Sequence, residues 1–355
     1  MKKLRTGYTT GTCAAAAARA ALMRMSGIVA DSVKVLLPRG DHLMVPIKSC
    51  RVDGEAVTCS VIKDGGDDPD VTHGAEIVVE LSPAGGAGDI LIEGGEGVGT
   101  VTKPGLGLEV GGPAINPTPR RMIQDNLREA GVDVLARTGL RVRISVPAGR
   151  ALAPKTDNPR LGILGGISIL GTSGIVIPYS TASFAAAIRQ NLDVAVAMGD
   201  DTVVLTTGGR SEDFARQIVP LPDHCFVQMG DFSGYAVQQC GKKNLKKAYV
   251  VGFVGKLAKM ATGVGQTHVK GSKVDMGFLA KMAEECGAVP DAVQRIRKAN
   301  TARHVMEIVT EEGVPGFFGG ICGMVRGHMQ KRAGGTAIEV ILFDFEGSVL
   351  GRAPG

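Results

Sequence analysis

The twelve residues KDGGDDPDVTHG, from Lys63 to Gly74, bring Asp64, Asp67, Asp68, Asp70 and His73 together. Carboxylates with an imidazole are the donor set of a divalent-cation site, and a site of that kind would suit metal-dependent phosphoryl transfer. The spacing is not that of an EF-hand, and Pro69 among Asp and Gly residues also makes an ordinary turn. Three readings follow: a metal site, a loop that faces a substrate through Asp67 and Asp68, or a plain turn.

A second stretch, RTGYTTGTCAAAAARAALMRMSG from Arg5 to Gly27, reads as a loop and a helix that starts near Thr12. The first thirty residues hold Lys2, Lys3, Arg5, Arg19 and Arg24 and no acid, so the whole net charge of +5 sits there. A helix start carries partial positive charge. With no Asp or Glu to complement it, Thr9, Thr10 and Thr12 as caps, and Gly7 and Gly11 adding no bulk, the segment has the makings of an anion site. The alternative is an alanine-rich helix packed on a sheet with threonines as ordinary caps. An export signal is not expected, because the glycine and threonine stretch and the two later arginines interrupt the run of about 7–15 apolar residues that such a signal needs.

Two further stretches offer cations. DILIEGGEGVGTVTKPG resembles a nucleotide loop in its glycines, but Pro104 forbids the helix that must follow, so a flexible hairpin presenting Lys103 is expected. INPTPRRMI places Arg120 and Arg121 in a first helical turn, where cations are disfavoured unless an anion shares the site; a solvated arginine pair is the other reading.

The elements that must position these groups come in two styles. From Asp31 to about Pro147, short β-prone runs alternate with turns: two strands around Arg39-Gly40-Asp41, a hairpin at Asp53-Gly54, then AEIVVELS, DILIE and RVRISV. One helix, Pro119 to Ala130, is capped by Thr118 and closed by Gly131. After the joint APKTDNPR, strands alternate with helices: LGILGGISI, TVVLT, HCFVQMG and KAYVVGFV are strands, each followed by a helix. That order implies right-handed βαβ units and a parallel sheet. Each strand runs into glycine: Gly165, Gly166, Gly171 and Gly174, then Gly208 and Gly209, then Gly230 and Gly234, then Gly252 and Gly255. Such turns along one edge of an open sheet are where ligands bind, although tight turns need glycine in any case. No dinucleotide fingerprint or P-loop is present.

Composition narrows the class. Of 355 residues 44% are hydrophobic, enough for real cores, and no apolar run is long enough to span a membrane. The scattered Cys13, Cys50, Cys59, Cys225, Cys240, Cys286 and Cys322 read as reduced thiols of a cytoplasmic protein. Only 4% of residues are aromatic and none is Trp, which argues against a nucleic-acid stacking platform.

LRTGYTTGTCAAAAARAA, CSVIKDGGDDPDVTHG, GEGVGTVTKPGL, INPTPRRMI, NPRLGILGGISILGTSGIVIPYS, VQMGDFSGYA and GFVGKLAKMATG followed by TH together resemble one family, the cobalt-precorrin-5B C(1)-methyltransferases of oxygen-independent cobalamin synthesis. The segments span nearly the whole chain in order. The resemblance implies a mixed α+β domain over 1–152 that holds corrinoid carboxylates, and a Rossmann-like open parallel-sheet domain over 153–355, with a helical C-terminal part, that holds S-adenosylmethionine. It implies methylation of ring carbon 1 of cobalt-precorrin-5B to cobalt-precorrin-6A, with cobalt arriving inside the substrate and no protein metal site needed. On this reading the methyl donor lies against Gly165, Gly166, Thr172, Ser173, Gly174, Gly208, Gly209 and Asp231. Substrate carboxylates meet Thr9, Thr10, Thr12, Lys103, Arg120 and Arg121, and His268, with His73 as the alternative, stands near the reacting ring for proton transfer. Thr181, Ala182 and Ser183 depart from the family pattern where an acid is expected. No membrane or nucleic-acid partner is implied, and a homo-oligomer is compatible with it. A metal-dependent phosphoryl-transfer enzyme built on the Asp64–Asp70 cluster and a non-enzymatic tetrapyrrole carrier are the competing functions.

Overall fold

The computed structural model describes residues 4–355; Lys2 and Lys3 lie outside the described residues. The chain divides into two compact units, Met1–Ser180 and Thr181–Gly355.

The first unit begins with β1 (Gly7–Tyr8), α1 (Thr10–Met25), β2 (Ser32–Leu36), β3 (His42–Pro46), β4 (Ser49–Asp53), β5 (Ala56–Ile62) and β6 (Glu76–Pro83). It continues with β7 (Ile90–Gly94), β8 (Thr100–Val101), α2 (Pro117–Ala130), α3 (Val132–Leu135), β9 (Leu140–Ser145), α4 (Gly149–Leu152), β10 (Ile163–Leu164) and β11 (Ile175–Val176). Its five-stranded sheet has the order β4-β5-β6-β9-β7, antiparallel except for β7 on β9. Period-two alternation turns Val57, Cys59, Val61, Ile77, Val79, Leu81, Val142 and Ile144 inward. Against β5 and β6 lies α1, with α2 on its other side. Ala14 to Ala18 are fully buried there, since a methyl group lets a helix sit close to its neighbours. The helix at 117–130 starts two residues before Pro119, with Asn116 as N-cap, because Pro117 is equally suited to a first helical turn.

Two expectations are corrected in this unit. Cys50 and Cys59 face each other across β4 and β5, with Cα atoms 4.1 Å apart, and are disulfide-bonded. Hairpin register, invisible in cysteine spacing alone, brings them together. LGILGGISI is no strand of a parallel sheet: β10 pairs antiparallel with β8, Ile167 and Ile169 bridge to Val98 and Ile115, and β11 pairs with β1. The unit boundary therefore falls after Ser180 and not after residue 152.

The second unit contains α5 (Thr181–Ala197), β12 (Thr202–Thr206), α6 (Gly209–Ile218), β13 (Phe226–Gln228), α7 (Ser233–Lys242), β14 (Lys247–Phe253) and α8 (Val254–Ala261). Four helices follow, α9 (Met276–Glu285), α10 (Pro290–Arg297), α11 (Ala302–Glu311) and α12 (Phe317–Gln330), then β15 (Ala337–Phe343) and β16 (Val349–Ala353). The sheet order is β13-β12-β14-β15-β16, parallel except for the last strand. Both faces are covered: Val203, Leu205 and Val250 belong to one core, Val204, Phe226 and Val251 to another. That is why these strands read as continuous apolar runs. The architecture is mixed α/β, and among the described residues no helix is long and apolar enough to cross a membrane.

Candidate active site

In the second unit the chain steps from β12 to β13 on one side and returns to β14 on the other, so the carboxyl ends of β12 and β14 flank a switch point, where open parallel sheets bind ligands. Strand β12 runs through Thr207 into Gly208, the N-cap of α6, and a side chain at Gly208 would meet nothing within 4 Å. Gly255, in the first turn of α8, faces open space as well. Asp231 follows β13, 22 residues after Gly209, about where dinucleotide folds carry the acid that binds a ribose hydroxyl.

Asp231 is rigidly held. Its Oδ1 accepts from the Thr267 hydroxyl at 2.9 Å and lies 3.1 Å from Lys256 Nζ, and its carbonyl accepts from Thr267 N at 2.9 Å. Lys256 Nζ also donates to Thr207 O at 3.0 Å, linking two strand ends. Burial pushes the Asp231 carboxyl up, but the bonds from Thr267 and Lys256 outweigh it and hold its pKa below the usual carboxylate range. The result is a fixed anion beside two open glycine turns, suited to orienting a hydroxylated ligand. The segment after α8 is tied to the same edge, with Gly234 N donating to Gly265 O at 2.8 Å and Lys259 Nζ to Thr267 O at 2.8 Å. His268 is the next residue, exposed, and close enough for its charge to act on Asp231.

Gly208, Gly209, Asp231 and His268 are thus brought to one edge. Gly165, Gly166, Thr172, Ser173 and Gly174 are not: they belong to the first unit, where Gly174 meets the start of α1 and Gly166 packs on Gly97. A Cβ on Gly166 would sit 2.2 Å from Gly97 O, and one on Gly171 would sit 2.4 Å from Thr9 Oγ1. Gly166 and Gly171 allow close packing, Gly165 makes an exposed turn with φ 78°, and none of them lies at the strand edge of the second unit.

The start of α1 is correspondingly closed. Thr9, Thr10 and Thr12 are buried. Gly11 N donates to Leu170 O at 3.1 Å, Thr12 N to Thr9 Oγ1 at 3.2 Å, and Thr12 Oγ1 to Gly174 O at 2.7 Å. Thr10 Oγ1 accepts from Leu170 N at 2.9 Å. Carbonyl oxygens of the 168–174 segment take the place of the expected substrate anion, so the three threonines are internal caps.

The acidic loop is likewise internally paired. Asp64 pairs with Arg5 and accepts from Gly66 N at 2.9 Å; the Arg5 guanidinium holds its carboxyl below the usual range. Asp67 accepts from Arg5 N at 2.7 Å, and Asp68 from Tyr179 N at 2.8 Å. Asp70 pairs with Lys63, whose side chain is 2% exposed, and accepts from Thr72 N at 2.7 Å. His73 Nδ1 accepts from Gly65 N at 3.0 Å. Each carboxylate serves a different internal donor, so the cluster ties the opening strand to its loop and offers no convergent set for a cation. Asp67, which is exposed, and Asp68, which is half-buried, each accept from one backbone N–H of the same unit, and the phosphoryl-transfer reading loses its foundation. A cleft of about 500 Å³ lies beside the loop, lined by Arg5, Tyr8, Lys48, Lys63 and His73 among others.

The 94–99 glycines are packed, not flexible: a Cβ on Gly97 would sit 1.9 Å from Val146 O. Lys103 lays its stem over Gly162. Arg120 turns inward, donating to Ile115 O at 3.0 Å and Ile92 O at 3.3 Å, and burial lowers its pKa. Arg121, one position on, is exposed. Sequence reading missed Lys256 and Thr267 as partners of Asp231. GFVGKLAKMATG carried the signal, a lysine within one turn of a strand-end glycine.

These features define a mixed α/β protein with open glycine turns at the carboxyl ends of a parallel sheet. Residues 1–178 match the family model described as CbiD, and residues 266–354 match the CbiD C-terminal domain. A cobalt-precorrin-5B C(1)-methyltransferase of Geobacillus kaustophilus (strain HTA426) is 48% identical over 355 residues, covering 99% of this chain and 95% of its own. One from Salinispora arenicola (strain CNS-205) is 49% identical over 351 residues, covering 97% and 91%. A crystal structure of a cobalamin biosynthesis protein (cbiD) from Archaeoglobus fulgidus is 26% identical, with a TM-score of 0.39, covering 87% of this chain and 85% of that one. The chain belongs to the CbiD family.

Proposed function

We propose that this protein is a cytoplasmic C-methyltransferase that methylates ring carbon 1 of cobalt-precorrin-5B, with S-adenosylmethionine as donor. Full-length likeness to relatives of that name supports the reaction. The observation that carries the donor site is the edge of the second unit, read as Rossmann-like, where Gly208 and Gly255 leave room and Asp231 presents a fixed carboxylate.

Asp231 would accept from the donor's ribose hydroxyls, Lys256 would pair with its carboxylate, and Gly208 and Gly209 would let it approach the α6 start. The sulfonium supplies an electrophilic methyl group. No protein nucleophile is needed, so holding the partners in line can supply up to about 7–11 kcal/mol of the barrier lowering. His268, exposed at the same edge, is the group positioned to take up a proton. In the first unit, the exposed Arg121 and the half-buried Lys103 are the cations available to corrinoid carboxylates.

Titration calorimetry with S-adenosylmethionine, S-adenosylhomocysteine and Mg-ATP tests this. The first two should bind at one site per chain and Mg-ATP should not, and a corrinoid incubated with the donor should gain one methyl. Tetrapyrrole binding without donor binding would make the protein a carrier and overturn the proposal.

A further inference from the structure

At the opposite, amino edge of the same sheet, Asp200 precedes β12, and His224 with Cys225 precedes β13. Sequence spacing gives no metal motif here, since the residues come from two separate turns, yet one ligating atom from each lies within 4.8 Å of the other two. Asp200 Oδ2 is 2.6 Å from His224 Nε2, with these side chains 25% and 11% exposed, and Cys225 is fully buried beneath them. Carboxylate, imidazole and thiolate form a mixed hard and soft donor set that suits Zn²⁺, with a water completing four ligands on the exposed side.

We propose that Asp200, His224 and Cys225 bind a thiophilic divalent cation of the Zn²⁺ class. Metal–ligand bonds of 2.0–2.3 Å in a tetrahedron set ligand atoms about 3.5 Å apart. The Asp200–His224 contact opens by roughly 1 Å and the thiol closes a similar gap, movements within side-chain torsion. The Cys225 proton leaves to solvent as the thiolate forms. Binding replaces the Asp200–His224 hydrogen bond by a clamp joining the turn before β12 to the turn before β13. Five residues of β12 separate this edge from Gly208, about 16 Å of strand, so the ion stabilises the sheet without touching the proposed donor site. The site is independent of the cobalt that a corrinoid substrate would carry.

The test uses the full chain, stripped with chelator. Zn²⁺ calorimetry should show one equivalent bound, and Co²⁺ should give a thiolate-to-metal charge-transfer band. Cys225→Ser should abolish the band, and His224→Ala and Asp200→Asn should weaken binding about tenfold or more with unchanged circular dichroism. If buried Cys225→Ser fails to fold, the two milder variants decide. Absence of saturable binding, or binding equal in wild type and His224→Ala, overturns the proposal.

Discussion

Replacing Gly208 by Val separates a ligand edge from a merely tight turn. The backbone there is extended, with φ 163°, a conformation open to any residue, and a Cβ meets nothing within 4 Å. No side-chain cap bond is lost. The fold should therefore lose only about 1 kcal/mol, the cost of a poorer N-cap residue. The branched side chain would instead fill space that the donor must enter, weakening S-adenosylmethionine at least about tenfold, or 1.4 kcal/mol. Gly166→Val is the contrast: its Cβ would fall 2.2 Å from Gly97 O, backbone against backbone, and overpacking of that kind costs about 1–3 kcal/mol or more. Calorimetry and denaturant unfolding on both variants should show lost affinity with retained stability for Gly208→Val, and lost stability for Gly166→Val. Donor affinity within twofold of wild type in Gly208→Val would refute the placement.

Asp70→Asn should destabilise the protein by about 3–5 kcal/mol in urea unfolding, because it strands the Lys63 ammonium at 2% exposure. Burial opposes ionisation of Asp70, yet Lys63 and Thr72 outweigh it and depress its pKa, so the pair's contribution is complete above the ordinary Asp value and is lost as pH falls through the lower folded value. A stability curve that stays flat through this acid range would contradict the pairing. His268→Ala should slow single-turnover methylation by about 10²-fold or more while donor affinity holds; a loss below about threefold returns the residue to a structural role.

Sequence by itself determined the family, the two styles of fold and most elements. The βαβ alternation after Thr181, the hairpins at Gly40 and Gly54, and the alanine helix are local patterns, and local patterns survive without a partner. It also determined that Gly208, Gly209 and Asp231 share an edge, since strand, turn and helix follow in order. What only the tertiary structure decided depends on long-range pairing. GGISILGTSG reads like a strand with a ligand turn, yet its Gly171 and Gly174 serve to admit the start of α1, more than 150 residues earlier in the chain, and its Gly166 packs on Gly97. The threonines and acidic loop looked open to a ligand because sequence shows a donor or a charge but not its partner. Leu170 O, Gly174 O, Arg5 and Lys63 are those partners, and each arrives through packing. Register likewise decided the Cys50–Cys59 bond and the meeting of Asp200 with His224, because contacts between separate segments are set by how a sheet closes and not by spacing along the chain.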